Sequence, residues 1–332
     1  MINQDLKLNP NIFNSDVKKV PIRTGFGEGL VIAADNNEEV VGLCADLTDS
    51  VKMRDFADKY PKRFIQMGVA EQNMASVASG MAAMGKIPFM ASYAMFSPGR
   101  NWEQIRTTIC YNDVPVKIAG SHAGISVGPD GGTHQAIEDI ALMRVMPNMV
   151  VISPCDAIEA KKATVAAAQT SYPTYIRLAR NASPLITTEE TPFEIGRAQV
   201  VYDGEGASDV AIIATGPPVY EALLAAKELE ERGLKATVCN MATIKPLDTK
   251  MIDELVSSAG AIVTVEDHQK AGGLGSAVAE YVVSSKLVPI EMVGVNDQFG
   301  QSGKPEELME YYGLGVADIV VAAEKVVGRK EI

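Results

Sequence analysis

The sequence predicts an α/β protein with two doubly wound domains, each built on a mostly parallel sheet with helices on both faces. Short runs of β-branched and apolar residues alternate with longer helical patterns, a polar segment interrupts this series near the middle, and the alternation then resumes. Continuous apolar strands are typical of parallel sheets, because both faces of such a sheet are buried. At 332 residues, the chain is long enough for two domains.

The first series predicts a parallel sheet in the first half of the chain. Buried strands are expected at residues 40–43, 87–91, 114–119, 149–152 and 175–178. Helical patterns cover residues 71–84, 98–110, 134–146 and 156–169. Ser97 and Asp156 stand where they would cap two of these helices.

A second α/β series follows a turn-rich, polar segment at residues 181–194. Its strands are expected at residues 210–214, 236–239, 261–265 and 289–293, and its helices near 218–232, 248–258, 275–285 and 316–327. The patterns together predict an N-terminal extension (1–19), a first domain (20–184), a linker (185–197) and a smaller second domain (198–332).

Composition and charge exclude several function classes. The formal net charge of −12 argues against a general nucleic-acid or anionic-membrane surface. No apolar stretch approaches the roughly 20 residues of a membrane span, and the N-terminus lacks a signal-peptide pattern. The cysteines are far apart and without metal-ligand spacing, which predicts reduced core residues of a cytoplasmic protein: Cys44, Cys110, Cys155 and Cys239.

Glu71 is the most informative single residue of the sequence. It is the only charged residue in the segment 71–85, which otherwise contains small, apolar and amide side chains. A buried carboxylate is costly unless something pairs with it, and burial raises the pKa of a carboxyl group. A buried acid that hydrogen-bonds a ligand nitrogen would show this pattern, although a glutamate at a helix start can also interact with N–H groups of its own first turn.

A glycine-rich loop that follows a predicted strand is a second candidate site. Residues 120–135 contain five glycines, Asp130, and two of the three histidines of the chain, His122 and His134. In an open parallel sheet, ligands bind at the loops that follow the carboxyl ends of the strands. Glycine lets the backbone approach a ligand closely, and histidine can exchange protons near pH 7.

Two further segments carry a weaker signal. The loop at residues 44–50 also follows a predicted strand and offers Asp46 as an acceptor and Ser50 as an anion contact, but it could simply cap a helix. His268 lies just before a glycine run at residues 272–275. Such a run could bind phosphate at a helix N-terminus, but a structural role is the favoured interpretation.

Five segments in order resemble the transketolase family. Three lie in the first predicted domain: Ala45-Asp-Leu-Thr48, Gly68-Val-Ala-Glu-Gln-Asn73 and Gly128-Pro-Asp-Gly-Gly-Thr-His-Gln135. Two lie in the second: Ile244-Lys-Pro-Leu-Asp248 and Glu266-Asp-His-Gln-Lys-Ala-Gly-Gly273. The likeness covers nearly all of residues 20–330 and implies a domain that binds the pyrimidine ring of thiamine diphosphate, followed by a transketolase C-terminal domain.

The part of the family pattern that binds the diphosphate is absent from this sequence. Family members use a Gly-Asp-Gly sequence and a later asparagine to hold the diphosphate and Mg²⁺, and no Gly-Asp-Gly occurs here. The resemblance therefore implies the C-terminal subunit of a split transketolase, with no metal ligands of its own. An N-terminal diphosphate-binding subunit would supply the Mg²⁺ ligands, and the assembly would contain two copies of each chain.

The resemblance also implies which residues bind the cofactor. Glu71 matches the carboxylate that hydrogen-bonds N1′ of the aminopyrimidine ring, and Asp46 matches a residue near that ring and the thiazolium. Tyr93 and Phe96 match aromatic residues that pack on the pyrimidine. Gly99 departs from the family pattern, because many transketolases have a third aromatic residue near this position.

A second set of residues matches the substrate site of the family. The sugar phosphate would be bound by Arg23, Ser50, His122 and Arg180, with Arg177 as a neighbour that could replace Arg180. Asp130 and His134 match residues that face the donor hydroxyls and the transferred two-carbon unit. His134 and His122 are therefore the candidates, beside Glu71, for catalytic roles.

The resemblance implies transfer of a two-carbon ketol group from a ketose phosphate such as xylulose 5-phosphate to an aldose phosphate such as ribose 5-phosphate. Three alternatives stay open: the β subunit of a 2-oxo-acid dehydrogenase E1, a 1-deoxyxylulose-5-phosphate synthase, and a non-catalytic transketolase-like subunit. The loop with Asp130 and His134 favours transketolase over the E1 subunit, and the synthase normally carries its own diphosphate domain. A non-catalytic subunit would be expected to lack Glu71.

Overall fold

Three sheets organise the part of the chain that this computed structural model describes, residues 1–204 and 207–330. Seven strands form the first large sheet, five form the second, and two short strands pair with each other. In chain order the strands are β1 (Lys19–Pro21), β2 (Val40–Cys44), β3 (Phe64–Gln66), β4 (Ile87–Tyr93), β5 (Lys117–Ser121), β6 (Val150–Ile152), β7 (Thr174–Leu178), β8 (Ala182–Pro184), β9 (Gln199–Tyr202), β10 (Val210–Ala214), β11 (Ala236–Asn240), β12 (Thr243–Lys245), β13 (Ile262–Gln269) and β14 (Ile290–Val295).

Helices connect most of the parallel strands, since a parallel pair needs a crossover. The helices are α1 (Ile22–Asn36), α2 (Arg54–Lys59), α3 (Glu71–Ala83), α4 (Trp102–Gln104), α5 (Asp139–Arg144), α6 (Ala157–Ala168), α7 (Val219–Glu231), α8 (Thr249–Ala259), α9 (Leu274–Ser284), α10 (Pro305–Tyr311) and α11 (Val316–Gly328).

Both large sheets are mostly parallel, which confirms the predicted α/β class with two sheets. The first has the strand order β12-β6-β7-β5-β4-β2-β3, and only the edge strand β12 runs antiparallel to its neighbour. The second has the order β14-β13-β10-β11-β9, with β9 as its antiparallel edge. Every residue of β2, β5, β7, β10 and β11 is buried, as expected for strands covered on both faces.

The two halves of the chain are interlocked rather than simply joined by a linker. Strand β12 comes from the second predicted domain but completes the first sheet through its pairing with β6. Conversely, Ile2 of the N-terminal extension forms a bridge with Tyr202 of β9. The exact domain boundaries therefore stay predictions, because backbone pairing crosses them in both directions.

Two predicted helices begin later than expected. The segment predicted as a helix from residue 98 starts at α4 and continues as the π-helix Ile105–Cys110. Ser97 does not cap it: the residue that precedes α4 is Asn101, whose Nδ2 donates to the Ser97 Oγ at 3.2 Å. Proline and glycine at residues 98–99 favour a turn over a helix here.

The second late helix is α5, which was expected to begin at His134 but begins at Asp139. Residues before it form a turn, in which the Gln135 Nε2 donates to the carbonyl oxygens of Ile125 at 3.1 Å and Gly128 at 3.3 Å. By contrast the cap at Asp156 is confirmed, because its Oδ1 accepts the N–H of Glu159 at 2.8 Å.

Helix α1 was not predicted from the sequence, because three glycines in its interior lower its helix propensity. These glycines allow close packing: a Cβ atom at Gly25 would collide with the carbonyl oxygen of Ala157, at the start of α6. Other elements that sequence patterns missed are short or lie at sheet edges: α2, α10, β1, β3, β8, β9 and β12.

All four cysteines are buried and unpaired, in agreement with their predicted place in the core. Within residues 1–204 and 207–330, no helix combines the length and the apolar character that crossing a membrane requires.

The packing of α1 on α6 gives a direct test. Gly25→Ala should lower the thermal unfolding midpoint, because added atoms in a close-packed contact typically cost about 1–3 kcal/mol. Gly80→Ala is the matched control: Gly80 is also helical, but nothing lies within 4 Å of its added Cβ. The control should leave stability unchanged or raise it by up to about 1 kcal/mol, and equal destabilisation by both changes would contradict this view of the helix contact.

Candidate functional site

The candidate residues of the first domain converge at the carboxyl ends of its parallel strands. Asp46 follows β2, Tyr93 ends β4, His122 follows β5, and Arg180 follows β7. Because β2, β4, β5 and β7 are neighbours in the sheet, these side chains share one edge. This is the edge at which open α/β sheets bind ligands.

Glu71 begins helix α3 and its carboxylate is only 1% exposed. The Arg100 Nη1 donates to its Oε2 at 2.7 Å, and the Ser92 Oγ lies 3.4 Å from its Oε1. The Asn101 Nδ2 donates to the backbone oxygen of Glu71 at 3.0 Å. Within the described part of the chain, the Glu71 carboxylate accepts no N–H from its own first turn. The interpretation as a simple helix-start residue therefore does not fit.

Arg100 is a site residue that the sequence reasoning missed, since residues 98–110 looked like a regular helix. Its guanidinium carbon lies 4.7 Å from the centroid of the Phe96 ring, while its side chain stays 45% exposed. The preceding Gly99 cannot carry the third aromatic residue of the family pattern in this backbone, because a Cβ there would collide with the carbonyl oxygen of Met95. The signal was an arginine directly after the position at which the family pattern is broken.

Aromatic rings and the two loop histidines form the next part of the site. The rings of Tyr93 and Phe96 are stacked, with centroids 6.1 Å apart. The His122 ring stacks on Tyr93 at 3.9 Å, and the His134 ring meets Phe96 edge-on at 5.5 Å. The structure thus brings together four residues that the sequence places between 93 and 134.

Two arginines create a positive region beside His122. The Arg23 Nη1 donates to the carbonyl oxygen of Arg180, and the Arg180 Nη1 donates to the carbonyl oxygen of Val127 at 3.4 Å. Burial and the neighbouring Arg180 lower the pKa of Arg23. The Arg23 Nε is buried without a hydrogen-bond partner, and no carboxylate of the described residues forms an ion pair with either arginine. Such an arrangement suits a phosphate or another anion.

His122 lies in surroundings that disfavour its protonated form. Burial, followed by Arg23, Arg180 and His134, lowers its pKa to about 3. A lowered pKa favours the neutral imidazole, which can donate or accept a hydrogen bond. Its Nδ1 lies 2.9 Å from the Ser121 Oγ, which fixes the ring orientation.

Three other candidates have no recorded side-chain contact with the residues described above. Asp46 and Asp130 are exposed and Ser50 is half-buried, and none of their side chains forms a hydrogen bond within the described residues. The Asp46 backbone has a positive φ of 59° and its N–H donates to the Gln66 Oε1 at 2.7 Å, which holds the turn after β2. These side chains are therefore free to meet a ligand.

Arg177 is not part of this open site. It is almost fully buried, and its Nε donates to the Asp139 Oδ2 at 2.9 Å while its Nη2 donates to the backbone oxygen of Asp267 at 2.7 Å. With both ends of its guanidinium engaged, Arg177 is unavailable to a substrate. Of the two neighbouring arginines, only Arg180 belongs to the positive region beside His122.

The glycine run after His268 does not form an anion site. The buried Glu266 carboxylate accepts the N–H groups of Leu274 at 2.7 Å and Gly275 at 2.8 Å, so it occupies the start of α9. His268 itself is fully buried, with its Nδ1 2.7 Å from the Gln269 oxygen. Both observations fit the structural role that was favoured for this segment.

Metal-binding groups are absent from the described ranges 1–204 and 207–330, where no set of three or more His, Cys, Asp or Glu residues could hold a metal ion. What the site does offer is a buried carboxylate, an aromatic pair and a positive region. These groups can bind a nitrogen-containing aromatic ring and an anion.

Comparison with known proteins identifies the family. Residues 18–184 match the transketolase pyrimidine-binding domain, and residues 196–319 match the transketolase C-terminal domain. The chain belongs to the transketolase family. The recognition made from the five sequence segments is therefore confirmed, and so is the fold class that it implied.

Relatives of similar length share this transketolase architecture. The chain is 47% identical over 296 residues to a putative transketolase C-terminal section from Methanocaldococcus jannaschii, covering 88% of this chain and 92% of the relative. It is 40% identical over 309 residues to a 6-deoxy-6-sulfo-D-fructose transketolase subunit from Clostridium sp. (strain MSTE9), covering 93% and 95%. A solved structure described as a split gene transketolase, inactive beta4 tetramer, superposes with a TM-score of 0.87 at 44% identity, covering 94% and 99%.

The contact between Glu71 and Arg100 can be measured with a double-mutant cycle. Arg100→Ala should destabilise the protein by about 1–3 kcal/mol, because it leaves a buried carboxylate without its cation. In a Glu71→Gln background the same change should cost much less, since a neutral amide needs no cation. Denaturant unfolding of the four proteins gives the coupling energy, and a coupling of zero would show that the two side chains do not interact in solution.

Proposed function

We propose that this chain is the C-terminal subunit of a split, thiamine-diphosphate-dependent transketolase. The enzyme would transfer a two-carbon ketol group from a ketose phosphate such as xylulose 5-phosphate to an aldose phosphate such as ribose 5-phosphate. The observation that carries the proposal is the meeting of the buried Glu71, the stacked aromatic pair and the two arginines at one sheet edge of a transketolase-family chain.

Four residues of this chain would hold the pyrimidine end of the cofactor: Glu71, Asp46, Tyr93 and Phe96. Thiamine diphosphate supplies an electron sink for the carbon–carbon bond that breaks in the donor. The Glu71 carboxylate would hold or share a proton with a ring nitrogen, in a pocket that excludes water from it. Arg100 occupies this carboxylate and the face of Phe96 in the structure, so it must move or share the carboxylate when the ring binds.

The positive region would bind the anionic end of the sugar. Arg23 and Arg180 supply the charge, and the neutral His122 supplies a hydrogen bond. Ser50 is proposed as a further anion contact. The relative named for 6-deoxy-6-sulfo-D-fructose indicates that a sulfonate is a second candidate for this end of the substrate, since it is also an anion with oxygen acceptors.

Residues of the glycine-rich loop would act on the other end of the substrate. Asp130 is exposed and is proposed to accept hydrogen bonds from donor hydroxyls. His134 lies edge-on to Phe96 and is proposed to move a proton at the hydroxyl of the transferred two-carbon unit. His122 would orient substrate rather than transfer a proton, because its pKa is too low.

The partner of this subunit is proposed to be a separate N-terminal chain with the Gly-Asp-Gly sequence, which would supply the diphosphate site and the Mg²⁺ ligands. Two copies of each chain are the proposed assembly. The description of a similar chain as an inactive tetramer of β subunits supports the need for a second kind of subunit. Four buried thiols suit a reducing compartment, so the cytoplasm is the proposed location.

The decisive experiment is reconstitution. The chain would be mixed with the product of a neighbouring gene that encodes a Gly-Asp-Gly domain, with Mg²⁺ and thiamine diphosphate, and ketol transfer from xylulose 5-phosphate to ribose 5-phosphate would be assayed. Activity in the mixture but not in either chain alone is expected. Activity only with a sulfo-sugar donor would replace the proposed sugar-phosphate donor with a sugar sulfonate. Decarboxylation of a 2-oxo acid instead of ketol transfer would assign the chain to the E1 class.

Glu71→Gln should lower kcat of the reconstituted enzyme by roughly 10²–10⁴-fold, the usual range for a positioned acid–base group. The fold should survive, because the amide preserves the shape of the side chain. Glu103→Gln, an exposed change on α4, is the control and should leave kcat unaltered. Comparable turnover in the Glu71 variant and its parent would refute the proposed role.

Arg180→Ala should raise KM for a phosphorylated donor about 10–100-fold, as expected for a lost charge-assisted hydrogen bond of about 1.5–3 kcal/mol. Turnover of a phosphate-free ketol donor such as hydroxypyruvate should change little, because no anion is lost from it at that end. Arg197→Ala removes an exposed arginine of the linker and serves as the control. Unchanged KM values for the phosphorylated donor would place the anion site elsewhere.

A further inference from the structure

A buried network of charged and polar groups joins the two domains behind the proposed site. Arg177 and Asp139 belong to the first domain, and Asp267 and His268 belong to β13 of the second. The Arg177 guanidinium donates to the backbone oxygens of Asp267 at 2.7 Å and Ala136 at 3.3 Å. None of these groups has a role in the proposed transfer reaction.

The Asp267 carboxylate points across the domain boundary into the glycine-rich loop, residues 120–135. It is 2% exposed, and all of its recorded side-chain hydrogen bonds go to the other domain. Its Oδ1 accepts the N–H of Ile125 at 2.8 Å, and its Oδ2 accepts the Ser126 Oγ at 2.8 Å and the Ser126 N–H at 3.4 Å. The carboxylate thus accepts hydrogen bonds from polar groups of the loop that would otherwise lack these partners.

The backbone of the loop is shaped around this carboxylate. Gly124 has a φ of 89°, which strongly favours glycine, and a Cβ atom there would collide with the Asp267 Oδ2. With the Asp267 carboxylate in this position, the start of the loop therefore has room only for glycine at residue 124.

The far end of the loop also rests on the second domain. The Gln135 Nε2 donates to the carbonyl oxygen of Gln301 at 3.0 Å, and a Cβ atom at Gly128 would lie 2.9 Å from the Pro305 Cγ. Asp130 and His134 lie between these two supports. Loops are usually among the least stable parts of a protein, so a loop that must present side chains accurately needs such support.

We propose that Asp267 is a positioning residue, through which the second domain fixes the glycine-rich loop and with it the orientation of His134 and Asp130. Its effect on catalysis rests on the proposed function, whereas its effect on the loop does not. The second domain would then contribute to the site without touching the substrate, and the order of the loop would depend on the contact between domains.

The first test uses hydrogen–deuterium exchange of the chain by itself. Asp267→Asn should speed exchange of the Ile125 and Ser126 amides by about tenfold or more, because the amide group cannot accept all of these hydrogen bonds. The control is Glu266→Gln: this neighbour on β13 is equally buried, at 1%, but its carboxylate bonds to α9 of its own domain. It should leave exchange of residues 120–135 at the wild-type rate.

A second loop variant keeps the test meaningful if Asp267→Asn folds poorly. Ser126→Ala removes one hydrogen bond to the same carboxylate from the loop side and should speed exchange of the loop in the same direction, by a smaller factor. Wild-type exchange rates in folded Asp267→Asn, or equal acceleration by Glu266→Gln, would overturn the proposal. Neither result depends on enzymatic activity.

The second test uses the reconstituted enzyme. Asp267→Asn should lower kcat about tenfold while changing KM for the phosphorylated donor less than about threefold. The two charges of the anion site come from Arg23 and Arg180 outside the loop, and only the neutral His122 and the weak bond from Arg180 to the Val127 oxygen connect that site to the loop. Glu266→Gln should preserve kcat. Equal losses in the two variants would indicate a general structural effect and would overturn the positioning role. An inactive mixture would instead count against the proposed function, and the exchange experiment would still decide the inference.

Discussion

The buried Arg177, paired with Asp139, links the two domains through its hydrogen bond to the Asp267 backbone oxygen. Both side chains are almost fully buried, and burying charges is unfavourable unless every polar atom finds a partner. The Asp139 Oδ2 also accepts the Tyr175 hydroxyl at 2.6 Å, and the Arg177 Nη2 donates to one backbone oxygen in each domain, those of Ala136 and Asp267. The bond from Arg177 to the Asp267 backbone crosses between the domains, and the Asp267 side chain lies against the glycine-rich loop.

The proposed active site shows a different use of charge. Glu71 is buried like Asp139, but its partner Arg100 remains half exposed. Arg23 and Arg180 lie close together without a carboxylate between them, which is unfavourable unless an anion binds. Arg177 thus has a buried carboxylate partner where the domains meet, whereas Arg23 and Arg180 have no carboxylate partner in the described residues, at the place where a substrate is proposed to bind.

His122 illustrates how the environment alters a residue that looked reactive. A histidine in a glycine-rich loop is an ordinary candidate for proton transfer, because its usual pKa lies near neutrality. Here burial against Tyr93 and the two nearby arginines keep it neutral. The distinction between the two histidines of this loop, one proposed for orientation and one for proton transfer, depends on neighbours far away in the sequence.

The sequence by itself determined the α/β class, most of the central strands, the long helices of the second domain and the transketolase resemblance. These features depend on local patterns, such as continuous apolar runs and the lone Glu71 in a helix of small residues, which keep their meaning without knowledge of distant contacts. Helix α1 escaped prediction because its glycines are explained only by the surface of α6 against which they pack.

Only the tertiary structure decided which charged residues are occupied and which are free. Arg177 and Arg180 are three positions apart and equally plausible as substrate contacts in sequence, yet one is buried between domains and the other faces the site. The sequence also did not predict the roles of Arg100 and Asp267, because their hydrogen-bond partners lie 29 and 142 residues away. Nor did it predict strand β12, which pairs with a strand of the other domain. Hydrogen bonds between residues far apart in the sequence are properties of the folded arrangement, and no local pattern records them.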